Sequence, residues 1–263
     1  MAHTLYENIV LENKIKNMLD TKLAVNPFMT VDRSLTERAG LKKQVAVYDA
    51  TGSVKDVAMG EGNGSGEGIT VNRTFKDYEV KYTQGFVSYF DEELEKDPML
   101  MEVSMEKQSA LMVNDLTAKF YTELGKASVT MEYPANGINF DTVVDAIAKF
   151  GEDETGLFLL INPDQKAQIR KNLKDELKYS EGYVRTGYIG TVCNVPVYVS
   201  KAVPADTAFI ATKEAVTCFV KKDVASEQER DANLRKNTIY FRRENVVALT
   251  DDSKVVKLTK HVG

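Results

Sequence analysis

The side chains that could carry chemistry are few, and each set misses a requirement. GEGNGSGEG (60–68) is glycine-rich enough to suggest a phosphate loop. It lacks the Gly-Lys-Ser/Thr ending that places a lysine on the phosphates, and no helix start follows it to receive an anion. The carboxylates Asp91, Glu92, Glu93 and Glu95 crowd into FDEELEKD. An acid/base pair needs one carboxyl buried enough to raise its pKa. This run instead precedes an expected helix N-terminus, where negative charge is favourable, so it reads as solvated. Cys193 and Cys218 have no mid-chain histidine to activate them, because the two histidines are His3 and His261. That placement also argues against a histidine-rich metal site and a Ser-His nucleophile. Asp206, Asp223 and Asp231 lack calcium-loop spacing. Lys55 is a lone lysine near the glycine run, and solvation is its expected state. No catalytic residue, metal site or cofactor is assigned.

The elements that must position these residues tell more. The chain has 263 residues, 43% of them hydrophobic and 28% charged, enough to bury a sizeable core. Lys plus Arg number 34 against 39 Asp plus Glu, a net charge of −5, which argues against a dedicated nucleic-acid binder. No stretch reads as a signal peptide or membrane span, so cytoplasmic synthesis is expected.

Residues 1–40 read as an arm, with a helix over 5–20 carrying Leu5, Ile9, Ile15, Met18 and Leu19 on one face. TVDRSLTERAG cannot build a core, so the arm must lie on its own domain or on a neighbour. QVAVY (44–48) and GITVNRTFKDYEVKY (68–82) alternate as strands, the second with Tyr78, Val80 and Tyr82 on one face. The twenty residues between them, 49–68, include six glycines. Two strands with such a tip predict a projecting ribbon, marginal alone and ordered by lying on another surface. Asp97-Pro98 reads as a helix start. The helix should run to Gly125, with Met101, Met105, Met112, Leu116, Phe120 and Leu124 on one side. Leu100, Val103, Ala110, Leu111 and Ala118 widen its apolar surface. Residues 128–235 read as α/β: a helix at 140–151, a buried strand in TGLFLLIN, and a helix from Pro163 with Ile169, Leu173 and Leu177 inward. A Gly/Tyr-rich loop then leads to the strands TVCNVPVYVS, TAFIAT and AVTCFVK. Strand parity points both thiols at core. VASEQERDANLRK reads as a polar connection before NTIYFRREN, and SKVVKL closes the chain.

The order of parts resembles the major capsid proteins of tailed bacteriophages, the Hong Kong 97-type fold that encapsulin shells share. The resemblance spans essentially the whole chain. FVSYFDEELEKDPMLMEV looks like the junction of ribbon and spine helix. FLLINPDQKAQIRK looks like the axial-domain strand, Asn-Pro turn and helix. GYIGTVCNVPVYVSKAVPADTAFIAT and KEAVTCFVKKDVASEQERDANLRKNTIYFRRENVVAL look like the later strands, with a charged loop containing Arg-Asp.

The resemblance implies an α+β chain with these parts: arm (1–40), extended loop and start of the peripheral domain (41–96), spine helix and peripheral domain (97–135), axial domain (136–236) and peripheral return strand (237–263). It implies an icosahedral shell subunit, not an enzyme, that forms pentamers and hexamers enclosing DNA. The virion capsid, assembled in a bacterial host's cytoplasm, is its expected location. A separate scaffolding protein and a portal are expected partners, because the first forty residues already look like a mature arm. Packaged double-stranded DNA should be touched weakly, and no membrane is involved. The Lys, Asn and Glu set of cross-linking members is not identifiable. Lys55, Gly60, Gly62, Gly64, Gly66 and Gly68 at the ribbon tip are the candidate intersubunit contacts. An encapsulin-type compartment is the alternative within the fold, and a soluble α/β enzyme the alternative outside it.

Overall fold

The computed structural model describes residues 8–22, 25–37, 40–53, 56–62, 68–151, 154–172 and 190–261. Two sheets and one long helix organise them. A four-stranded sheet runs β1 (Thr30–Asp32), β10 (Val216–Asp231), β11 (Lys236–Leu249) and β4 (Lys81–Phe90). A six-stranded sheet runs β5 (Thr130–Tyr133), β12 (Val255–Lys260), β9 (Thr207–Ala211), β6 (Phe158–Ile161), β8 (Val195–Val199) and β7 (Thr191–Val192). The strands β2 (Lys42–Thr51) and β3 (Thr70–Glu79) pair only with each other.

The long helix α3 (Leu100–Leu124), about 37 Å at 1.5 Å per residue, joins the two sheets. Met101, Met105, Met112, Leu116, Phe120 and Leu124 are all buried along it. They share one core with Ile239 and Phe241 of the four-stranded sheet and with Phe158, Leu160 and Phe209 of the six-stranded one. On the far side of the six-stranded sheet, α4 (Phe140–Ala148) and α5 (Pro163–Asn172) bury Val143, Ile147 and Ile169 against Leu159, Ile161, Ile210 and Leu258. Strand β6 is therefore buried on both faces, as its unbroken apolar run requires. Helix α4 starts where the Asn139 side chain accepts from the Thr142 amide at 2.9 Å. At the β6–α5 junction Asn162 ties the turn, donating to the Val203 carbonyl at 2.9 Å.

The arm helix α1 (Asn8–Lys22) lies on its own subunit. Leu11 and Ile15 enter the α3 core, and the Glu12 carboxylate accepts from the buried Ser226 amide at 2.8 Å. Leu5 and the side chains of Ile9 and Leu19 lie outside the described residues. So do Leu173, Leu177 and the Gly/Tyr-rich loop through Ile189.

Several expectations are corrected. The long helix starts at Leu100, three residues after Asp97, whose carboxylate accepts from the Met99 amide at 3.0 Å and whose carbonyl accepts from the Leu100 amide at 3.2 Å. The acidic run before it is itself a short helix, α2 (Asp91–Lys96). The Phe90 amide donates to the Glu93 carboxylate at 3.0 Å, which ends β4 and starts α2 locally. The single strand expected over 68–82 is divided at Val80, so β3 belongs to the ribbon and β4 to the body. The polar stretch VASEQERD is strand. Val224 and Ser226 face the core, while Glu227 and Glu229 stand exposed. Pairing with β11 holds it extended in spite of its composition. As a result β10 and β11 form one hairpin across the expected boundary at 236. The C-terminal β12 joins the six-stranded sheet. Cys193 is not a strand residue pointing inward. With Asn194 it forms the two-residue β7–β8 turn, at φ 50° and 64°, and it is only partly buried. Cys218 is buried, and burial pushes its thiol pKa up.

Candidate assembly interface

The ribbon is built by ten consecutive pairs, from Lys42 opposite Glu79 to Thr51 opposite Thr70, with no register shift. Lys42, Gln44, Ala46, Tyr48 and Ala50 share a face with Val71, Arg73, Phe75, Asp77 and Glu79. Of these, Val71 is 57% and Phe75 51% exposed, and the Arg73 guanidinium stacks over the Phe75 ring at 4.4 Å. Large apolar side chains are usually buried. Here they stand on a two-stranded element that has no second layer beneath most of its length.

Only the root is held. Tyr78 stacks on Phe219 with ring centroids 5.4 Å apart, and its hydroxyl donates to the Leu249 carbonyl at 3.4 Å. Leu35, Val80 and Ala248 complete a small cluster there, with Val45 packed against it. The Lys43 ammonium pairs with Asp32 at 3.2 Å, hydrogen-bonds the Ser34 hydroxyl and lies over the Phe219 ring. The Val80 amide donates to the Leu41 carbonyl at 2.7 Å, closing the neck. Burial works to raise the Asp32 pKa, but the Ser34 amide and hydroxyl and the Lys43 charge outweigh it and hold the carboxyl low.

The arm is tied similarly. Asp223 pairs with Arg33 and, at 3.5 Å, with Lys16. Burial again works to raise its pKa, and Arg33, then Lys16 and Arg243, bring it below the ordinary range.

At the tip, Gly60 (φ 91°) and Gly68 (φ 137°) hold left-handed backbone, which other residues adopt at a cost. Gly62 has open space about it. Lys55, Gly64 and Gly66 lie outside the described residues. The structure adds Gly52, which the sequence reading passed over. A Cβ there would come within 2.4 Å of the Gly68 carbonyl oxygen, so the two strands meet at Gly52 and Gly68 as they enter the tip. Its position at the end of β2 was the available signal.

Two body surfaces share this unburied apolar character. Val103 and Leu111 on α3 are more than half exposed, so the second side of that helix is uncovered in the single chain. On the four-stranded sheet, Tyr82 and Phe86 point away from α3 and are 55% and 62% exposed. Phe86 meets the Tyr240 ring at a tilt, with centroids 6.1 Å apart.

The remaining chemical candidates stay apart. Asp91 binds Arg230 and the Asn237 amide, and Glu92 binds Arg235, so these carboxylates pin α2 to the β10–β11 hairpin. Cys193 lines an open pocket beside Glu154 on the six-stranded sheet. Among the described residues no three His, Cys, Asp or Glu side chains gather in a metal-binding arrangement.

Comparison with known proteins agrees with this architecture. The chain is 27% identical over 97% of its length to the major capsid protein of Staphylococcus phage phiMR11, of which 93% is covered. The capsid of a native GTA particle superposes with a TM-score of 0.73 at 12% identity, covering 100% of this chain and 93% of that one. The capsid of cyanophage P-SCSP1u gives 0.71 at 10% identity, covering 92% and 89%. A virus-like particle from Pyrococcus furiosus gives 0.65 at 13% identity, covering 95% and 98%. These likenesses show a Hong Kong 97-type fold. The family model described as phage capsid protein matches residues 77–258, from the ribbon root through the last strand, and the chain therefore belongs to the phage capsid protein family.

Proposed function

We propose that this chain is the major capsid protein of a tailed bacteriophage or prophage, an icosahedral shell subunit that acts by self-assembly into hexamers and pentamers around DNA. One observation carries the mechanism. Among the described residues the ribbon strands pair with each other alone, are anchored at the root, and leave Val71 and Phe75 unburied. An element so built gains its order from a neighbour. A contact in which one subunit's ribbon meets a different surface of the next is heterologous, and repetition of it closes rings. The relatedness to the phage phiMR11 protein along nearly the whole chain favours a phage shell over an encapsulin compartment, since the fold alone is common to both.

In this reading the four-stranded sheet with α3 is the peripheral body. The six-stranded sheet with α4 and α5 is the axial body, whose loops meet at the capsomer centre. The tip residues Lys55, Gly60, Gly62, Gly64, Gly66 and Gly68 lie in the intersubunit contact, the glycines letting one sequence fit boundaries of differing curvature. The role is structural and not enzymatic. A separate scaffolding protein and a portal complete assembly. A net charge of −5 suits a wall that touches packaged DNA weakly. The test is deletion of residues 60–68. Circular dichroism should report a folded subunit while electron microscopy shows assembly impaired. Normal particles from that deletion would refute the ribbon as an intersubunit element.

A further inference from the structure

The layer between α3 and the four-stranded sheet holds a guanidinium whose hydrogen bonding is incomplete. Arg243, on the inward face of β11, is only 8% exposed. Its Nε and Nη1 are fully buried with no hydrogen-bond partner among the described residues. A buried guanidinium short of partners is costly, and folded proteins rarely tolerate one without a use for it.

Carboxylates from β10, α1 and α3 border this seam. Asp223 of β10 is engaged by Arg33 and Lys16 and also feels the Arg243 charge, and Glu12 of α1 is engaged by the Ser226 amide. The third is Asp115 of α3. Thr83 is the residue directly opposite Arg243 on β4, and its hydroxyl donates to the Asp115 carboxylate at 3.3 Å. Among the described residues the Asp115 carboxylate pairs with Lys119, one helical turn away at 2.5 Å, on a side chain that reaches solvent and can exchange its partner for water. Asp115 also lines two open clefts, one against Gly85 and Gln108 between α3 and β4, the other against Lys81 and Asn245.

We propose that α3 and the sheet form a two-state joint, in which Asp115 leaves Lys119 and pairs with Arg243 when the subunit is incorporated into a shell. In the free subunit Nε and Nη1 of Arg243 lack hydrogen-bond partners, and in the assembled one Asp115 supplies them. The unsatisfied guanidinium thus biases the subunit toward its assembled packing. This proposal rests on the assembly reading above, and its test separates the two.

Cryo-electron microscopy of wild-type shells should show an Asp115 carboxylate oxygen within 4 Å of an Arg243 nitrogen. Shells with Arg243 still unpaired would overturn the joint alone, whereas a wild-type chain that forms no shells would overturn the reading beneath it. Asp115→Asn, Arg243→Met and the double variant supply an independent measure. In urea-driven disassembly followed by light scattering, each single change should speed shell loss about tenfold and the double change no more than either. In unfolding of the free subunit the two changes should act independently. Independent effects in shells, or equal coupling in free subunits, would contradict the proposal.

Discussion

Replacing Val71 and Phe75 together by threonine separates folding from assembly. Both side chains are about half exposed in the single chain and share one ribbon face. Threonine keeps the β preference of the strand. The folding cost is that of two surface changes plus the exposed Arg73–Phe75 contact, about 1 kcal/mol in all. In a chain of this size that lowers Tm by about 3 °C. Against a neighbour the loss is larger. Full burial of such a side chain is worth roughly 1.5–3 kcal/mol, and about half of each remains to be buried. Loss of both then removes about 2 kcal/mol, or roughly thirtyfold in affinity at 1.4 kcal/mol per decade, from each contact. A closed ring repeats that loss at every subunit boundary. The assay is the lowest protein concentration that yields particles by light scattering, with thermal melting of the unassembled chain beside it. The critical concentration should rise at least thirtyfold with a near-native melt. An unchanged critical concentration would refute the argument that this face is buried between subunits.

Other consequences follow from the packing. Gly85→Ala should destabilise the subunit by about 1–3 kcal/mol in urea unfolding, because its Cβ would land 1.7 Å from Nε2 of the buried Gln108. Phe120→Ala, which empties a fully buried site shared by both sheets, should cost about 3–5 kcal/mol by the same measurement. Asp32 and Asp223 both lie below the ordinary carboxylate value of 3.8 in the folded chain, so the unfolded chain binds more protons. The stability they supply is therefore complete above pH 3.8 and drains away as the pH falls through their lower folded values. Asp32→Asn with Asp223→Asn should flatten that acid loss in pH-dependent melting, and an unchanged slope would show that other carboxylates govern it.

How far the fold was legible in the sequence depended on whether a pattern was local. The ribbon strands announced themselves by alternation, and the methionine-rich face of α3 by its helical spacing. Both patterns are set by side chains facing one surface. The charged strand over Val224–Asp231 was not legible, because its extended form depends on a partner strand and not on its own composition. The start of the long helix was legible at Asp97, whose carboxylate does accept from the Met99 amide, whereas the short helix before it was not, because its acidic run read as solvated charge and Glu93 ties it locally to the Phe90 amide. Cys193 kept strand parity with Val195 and Val197 although a two-residue turn intervenes, and parity does not survive a turn. Glycines at the ribbon tip were visible as composition. Gly52 was among them, but its role was not legible, since it is a close approach to Gly68 that only the strand register reveals. Arg243 shares strand parity with Ile239 and Phe241, so its inward face was legible, but its lack of hydrogen-bond partners at Nε and Nη1 depends on the packing of α3 and was not.

Negative-stain electron microscopy of the purified chain, alone and co-expressed with a scaffolding protein, tests the central claim most directly. Closed shells or ring-shaped capsomers are the predicted result. A chain that stays monomeric in both preparations would contradict the account.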